Sequence, residues 1–208
     1  MIEHSLFIDT SNGQTIIGCP AVGWYIMPPK GDSLSFLVKH HQVIKEALAQ
    51  DNAVLSMIAV VVGPGALTGV RVGVGFATGL AYGANIEVLA IPSLHLSACL
   101  AAFRFQVSHL AVLRDARMHQ FYWGEYQITE SLNVLGEGVM SYDEVHTLSV
   151  HNQYIDLCAK SQPEQAQTLA IMEDSEYCKV MKMLMKHLTL QPALDVKPIY
   201  WRPSVIQS

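Results

Sequence analysis

Charge is scarce in this sequence, and positive charge most of all. Only 15% of its 208 residues are charged, the formal net charge is −5, and Lys and Arg never form a run. Gripping a nucleic-acid backbone takes clustered cations that displace counterions, so the chain is not expected to hold RNA or DNA unaided. Any contact with RNA has to come through another subunit. Cysteine is equally thin: Cys19, Cys99, Cys158 and Cys178 are scattered, with no CxxC pair. That spacing excludes a disulfide framework or zinc knuckle and leaves reduced thiols.

Catalytic arrangements are missing too. No Gly-x-Ser-x-Gly elbow occurs, and no Ser, Cys or Thr stands in a recognisable pattern with His and a carboxylate. His40 and His41 are adjacent, so on a helix they point about 100° apart and cannot share an ion. His95, His109, His119, His146 and His151 lack ligand-like spacing and read as surface or hydrogen-bonded core histidines. No metal site is expected. The apolar zone from Met57 to Ile91 is broken by Pro64, Arg71 and repeated glycines, which excludes a membrane span. Met1 to His4 carries neither a basic region nor a leader-type apolar stretch, so a cytoplasmic location is expected.

What is present is apolar: half the residues are hydrophobic, enough for a sizeable core. Leu6–Thr10, Thr15–Cys19 and Val22–Met27 read as an antiparallel meander. A helix is expected from Ser33 to Ala49, with Leu37, Ile44 and Leu48 at helical spacing. Ile58–Val62 and Glu87–Ile91 have the continuous apolar character of buried parallel strands, joined by a helix from Thr68 to Tyr82. Ser93 is the expected N-cap of a helix running to about Phe103. A second lobe is expected from about Val107, with strands over His109–Arg114 and His119–Gln127. Beyond Asn133 the pattern weakens, with helices expected over Tyr142–Leu148 and Glu173–Leu188 and an extended tail from Gln191. The implied organisation is an N-terminal lobe over 1–106, a smaller lobe over 107–190 and a tail over 191–208 packing back on them.

The most informative stretch runs from Val60 to Gly73. A glycine turn, Gly63-Pro64-Gly65, sits between a buried strand and a helix, where free N–H groups and the helix dipole suit a phosphate. Asp9, Gly63, Gly65 and Thr68 are the candidate binding residues, although a tight turn with Thr68 as helix cap explains the same pattern. It is not a Walker loop, since no Lys-Ser or Lys-Thr follows. Asp9 reads either as a contact to a metal–phosphate group or as a turn cap toward Ser11 and Asn12. Asp115 and Arg117 either pair with each other or face the cleft. The helix behind the loop carries two ridges of small residues, Gly69-Gly73-Ala77-Ala81 and Gly75-Gly79-Gly83, about a third of a turn apart. Each glycine costs a helix about 1 kcal/mol relative to alanine, so close backbone approach on two sides is the physical reason to keep them. One ridge is expected on the sheet and the other on a neighbouring helix, within this chain or from a partner.

Four segments together resemble a known family: Leu6-Phe7-Ile8-Asp9-Thr10-Ser11, the Gly63–Gly73 stretch, Asp115-Ala116-Arg117-Met118 leading to Tyr122-Trp123, and Pro198-Ile199-Tyr200-Trp201-Arg202. They are similar to the TsaB (YeaZ) family, bacterial subunits of tRNA threonylcarbamoyladenosine biosynthesis. The resemblance is dense from Leu6 to Tyr126 and faint between Asn133 and Gln191. It implies a two-lobed actin-like (ASKHA, ribonuclease H-like) α/β fold with mixed sheets flanked by helices. It further implies a non-catalytic scaffold that binds the catalytic paralogue TsaD and works with the ATPase TsaE. The product would be threonylcarbamoyl transfer to the adenosine beside the anticodon of ANN-decoding tRNAs. On this reading the chain is not itself an enzyme, needs no cofactor of its own and meets tRNA only through the complex. ATP or ADP at the shared interface and a homodimer of the isolated chain stay open. The expected partner contacts are Leu37, Ile44 and Leu48 of the first helix and Val70, Val74, Gly75 and Gly79 of the glycine-rich one.

Departures from working relatives fit a degenerate subunit. Phe36-Leu37-Val38-Lys39-His40 stands where the catalytic paralogue has a His-x-x-x-His pair. Asp115-Ala116-Arg117-Met118-His119-Gln120 replaces the glycines of an actin-like ATPase hairpin, and Asp156-Leu157-Cys158-Ala159-Lys160 replaces the adenosine-binding glycines. The alternatives are an autonomous ATPase or phosphotransferase, resting on Asp9 and the glycine loop, and a metallopeptidase, for which no ligand set is visible.

Overall fold

A computed structural model describes residues 2–28, 31–148, 153–156, 166–169 and 174–201. His151, Cys158, the 157–160 segment and Arg202, all singled out above, lie outside the described residues. Two sheets carry the fold. The first contains β1 (Ser5–Asp9), β2 (Ile16–Cys19), β3 (Gly23–Ile26), β4 (Met57–Gly63), β5 (Val88–Pro92) and the short β11 (Leu190–Gln191), in the order β11-β5-β4-β1-β2-β3. β1, β4 and β5 are parallel, while β2, β3 and β11 are antiparallel to their neighbours. The second contains β6 (His109–Arg117), β7 (Gln120–Ile128), β8 (Leu132–Ser141), β9 (Gln153–Asp156) and β10 (Ala166–Leu169), in the order β10-β9-β6-β7-β8.

The helices are α1 (Ser33–Gln50), α2 (Leu67–Ala84), α3 (Ser93–Phe105) and α4 (Asp174–Met185). Alternation along the parallel strands sorts residues onto two faces. Leu6, Ile8, Ile58, Val60 and Val62 pack with Leu37, Ile44 and Leu48 of α1 and Val70, Val74, Ala77 and Ala81 of α2. Phe7, Met57, Ala59 and Val61 face the other way, into a core shared with α3, α4 and the Leu110, Val112 and Tyr126 side of the second sheet. A strand buried on both faces needs this unbroken apolar run. α3 and α4 therefore lie between the two sheets. The far side of the second sheet is closed by Leu113, Phe121, Met140 and Val145, the last from a 3-10 turn over Tyr142–Thr147.

Three local expectations are corrected. Ser93 does not cap α3: Pro92 holds that position, and the Ser93 hydroxyl donates to the Pro64 carbonyl instead (2.6 Å). Thr68 does not cap α2; Ala66 is the cap and makes no side-chain bond. The weak region after Asn133 holds a ten-residue strand, β8, which pairs along β7. Asp32 behaves as a side-chain cap should, accepting the Ser35 N–H at the start of α1 (2.8 Å). No helix among the described residues is long and apolar enough to cross a membrane.

Candidate functional site

The glycine loop closes on the turn after β1. Ala66 N–H donates to the Ser11 carbonyl (2.7 Å), and the Thr10 hydroxyl donates to the Gly69 carbonyl (2.7 Å). This approach leaves no room for side chains: a Cβ at Gly65 would sit 2.2 Å from Ser11 O, and one at Gly69 2.1 Å from Thr10 O. Gly63 itself lies at φ +96°, a conformation that only glycine adopts freely. From the other side the tail bonds back, Ile199 N–H donating to Val62 O (2.7 Å).

Beyond the loop opens a cleft of about 1210 Å³, large beside ordinary ligand pockets. One wall is Ser11, Asn12, Gly13, Gly65 of the glycine loop and the first turn of α2 with the exposed Thr68. The first N–H groups of α2 have no acceptor within the helix and mark its positive end. The opposite wall is the β6–β7 hairpin, Arg114 to His119, with Tyr122 and Tyr142. Asp115 accepts the Arg117 N–H (2.7 Å) and the Tyr142 hydroxyl (3.3 Å), so its tie to Arg117 runs through the backbone. Arg117, Met118 and His119 all have left-handed φ, from 51° to 66°. The hairpin thus holds a glycine-type backbone without glycines, at a cost of about 1 kcal/mol or more per residue.

The four candidate binding residues do not converge. Gly65 and Thr68 line the cleft, whereas Asp9 and Gly63 are not part of its lining. Asp9 is 5% exposed and its carboxylate accepts the Ser11 N–H (2.8 Å), the turn-capping role. Sequence reasoning overlooked Arg114, which is buried yet contributes to the cleft wall; the signal was a lone cation closing the apolar run Leu110–Leu113. Among the described residues, no group of three or more His, Cys, Asp or Glu is placed to hold a metal ion. His95 and His109 each hydrogen-bond a glutamate, Glu137 and Glu125.

The two ridges of α2 are resolved by their surroundings. Gly73, Ala77 and Ala81 are buried, and a Cβ at Gly73 would lie 2.2 Å from the Thr10 hydroxyl. At Gly75, Gly79 and Gly83 a Cβ would meet none of the described residues within 4 Å. The second ridge is therefore open to solvent, and Tyr82 on the same helix and Leu34 and Val38 on neighbouring α1 are exposed as well. Five expected partner contacts are corrected. Leu37, Ile44, Leu48, Val70 and Val74 are at most 4% exposed and fill this chain's own core, because apolar residues at helical spacing mark the inward stripe. Gly75 and Gly79 alone of the seven present surface.

Comparison with known proteins agrees with this architecture. Residues 29–188 match the family model described as "TsaD: tRNA N6-adenosine threonylcarbamoyltransferase". The chain is 41% identical over 69 residues to the tRNA threonylcarbamoyladenosine biosynthesis protein TsaB of Escherichia coli K12, covering 33% of this chain and 30% of that one. It is 30% identical over 94 residues to TsaB of Buchnera aphidicola, covering 45% of each. The matched stretches thus span 30% to 45% of these relatives' length. Among solved structures, YeaZ from Pseudomonas aeruginosa superimposes with a TM-score of 0.74 at 21% identity, over 94% of this chain and 98% of that one, which shows a shared fold. A two-sheet actin-like frame, a glycine loop closing on the β1 turn and this set of matches lead to one assignment: the chain belongs to the family that the TsaD model describes, and the curated relatives it resembles are named TsaB.

Proposed function

We propose that this chain is a non-catalytic subunit of tRNA threonylcarbamoyladenosine biosynthesis that docks the catalytic paralogue TsaD through the outer side of α1 and α2, working with TsaE. The observation that carries the reading is the open Gly75–Gly79–Gly83 ridge. Three glycines in a solvated helix forfeit about 1 kcal/mol each relative to alanine, and none of the described residues uses the space they leave. A partner helix approaching closely is the use that fits. Exposed Leu34, Val38 and Tyr82 would supply apolar contact around it. With a net charge of −5, tRNA would be met through the assembly, not by this chain alone.

The test is co-elution of the purified chain with TsaD from the same source, mass being measured by light scattering. A one-to-one complex is expected for the native chain. Gly79→Leu should abolish it without lowering the melting temperature, since an open helix position gains propensity when glycine is replaced. Separate elution of the native chain and TsaD, with ATP and TsaE present or absent, would defeat the reading. ATP hydrolysis by the isolated chain would favour an autonomous ATPase instead.

A further inference from the structure

The buried Arg114 stands where the two sheets meet the glycine loop. It lies on β6 of the second sheet and is 4% exposed. Its Nη1 donates to the Ser11 hydroxyl (2.7 Å) and, over a longer path, to the Pro64 carbonyl (3.4 Å). Both acceptors belong to the first sheet's connections, and both adjoin the start of α2. The Ser11 carbonyl receives the N–H of Ala66, the residue that caps α2. Pro64 stands two residues before Ala66, and its carbonyl also receives the Ser93 hydroxyl from the first residue of α3 (2.6 Å). One side chain of the second sheet thus reaches both the loop from which α2 springs and the β1 turn on which that loop closes.

We propose that Arg114 is a clasp through which the second sheet sets the position of α2 and so of its outer glycine ridge. The apolar core between the sheets supplies adhesion, but burial is non-directional and does not by itself choose an orientation. Hydrogen bonds from an ionised donor are directional and stronger than neutral ones. Arginine suits the role because its planar fork offers several donors at fixed angles and stays charged at any working pH. Lysine would reach with a single point charge and lose that geometry. The clasp itself stands on the geometry; its effect on docking rests on the proposed function.

Amide hydrogen exchange on the full chain tests the clasp, comparing native protein with Arg114→Met, Ser11→Ala, the double variant and Arg114→Lys. In Arg114→Met the hydrogen-bonded amides of Ala66 and Val70 should exchange about tenfold faster or more, as expected for loss of a charged hydrogen bond. Amides of β4 and of the β7–β8 pair should keep their protection. Ser11→Ala should loosen the same segment, and the double variant should add little, because both remove one interaction. Arg114→Lys should recover part of the protection. Unchanged exchange at Ala66 and Val70, uniform acceleration across the whole core, or full additivity of the two substitutions would overturn the clasp. In the docking arm, the affinity for TsaD should fall about tenfold in Arg114→Met. A loosened α2 start with unchanged TsaD affinity would overturn the link to docking. Failure of the native chain to bind TsaD would remove the proposed function, while the exchange data would still decide the clasp.

Discussion

Two alanine substitutions, two residues apart on α2, put the reading of its faces to a quantitative test. Both Gly73→Ala and Gly75→Ala lie in the helix interior, so each gains about 1 kcal/mol of helix propensity. At Gly75 the new methyl meets nothing within 4 Å, and the gain should appear in full. At Gly73 the methyl would stand 2.2 Å from the Thr10 hydroxyl and 3.3 Å from its Cβ. Thr10 is 2% exposed and donates that hydroxyl to the Gly69 carbonyl. Swinging it away strands a buried polar pair, at about 1–3 kcal/mol. Moving the helix instead overpacks the contact, at about 1–3 kcal/mol. The propensity gain is common to both variants and cancels in the comparison. At least one of these costs falls on Gly73→Ala, so the pair should differ by about 1–3 kcal/mol or more. For a chain of this length that separates the melting temperatures by about 2–12 °C, with Gly75→Ala above native. Thr10→Ala should soften the loss in Gly73→Ala, since it removes the atom that is struck. Equal melting temperatures for the two variants, or a loss at Gly75, would refute the assignment of inner and outer ridges.

Other outcomes follow from polar contacts in the shared core. Arg104 on α3 grips Glu176 on α4 through two bonds of 2.6 Å, with side chains 17% and 9% exposed. Arg104→Ala removes both bonds from a mostly buried carboxylate and should cost about 3 kcal/mol in urea unfolding, much of it recovered in Arg104→Ala/Glu176→Ala. The acid limb of stability should be shaped by the contact of His95, Glu137, Tyr126 and His187. Burial works to raise the Glu137 carboxyl, but hydrogen bonds from His95 and Tyr126 and the charges of His95 and His187 bring it below its usual value. Burial, then the charge of His95, lowers His187, with Glu137 opposing. A depressed carboxylate stabilises the fold above its unfolded value, near 4.5, and loses that contribution as pH falls through the folded value. A depressed histidine stabilises the neutral form above about 6.5 and loses it as pH falls toward its folded value. Melting temperature should therefore decline first just below pH 6.5 and again below pH 4.5; His187→Gln should flatten the first step and Glu137→Gln the second. A flat profile in the native protein would contradict both.

Much of the fold was legible along the chain. Ile58–Val62 and Leu6–Ile8 are long enough to be strands and too apolar to be anything but buried. Three helices and the glycine loop could be placed by spacing and by turn residues. β8 escaped because Gly136 and Gly138 weaken its strand pattern. Their reason is tertiary: the Trp123 ring lies over them, 2.8 Å from where a Cβ at Gly136 would be. The candidate site was legible only in outline. Thr68 and Ser93 obey the local rule for helix caps, yet the folded chain caps with Ala66 and Pro92 and uses the Ser93 hydroxyl on Pro64.

What the sequence by itself determined was which residues could be buried and where the backbone had to turn, since hydrophobic period and glycine both act within a few residues. It also determined that α2 has two ridges of small residues. Only the tertiary structure decided that Thr10 covers one ridge while none of the described residues covers the other, and that Arg114 reaches Ser11 from a different sheet. Those contacts join residues 63 to 103 positions apart. No local pattern encodes them, because they exist only once the shared core has brought the two sheets together.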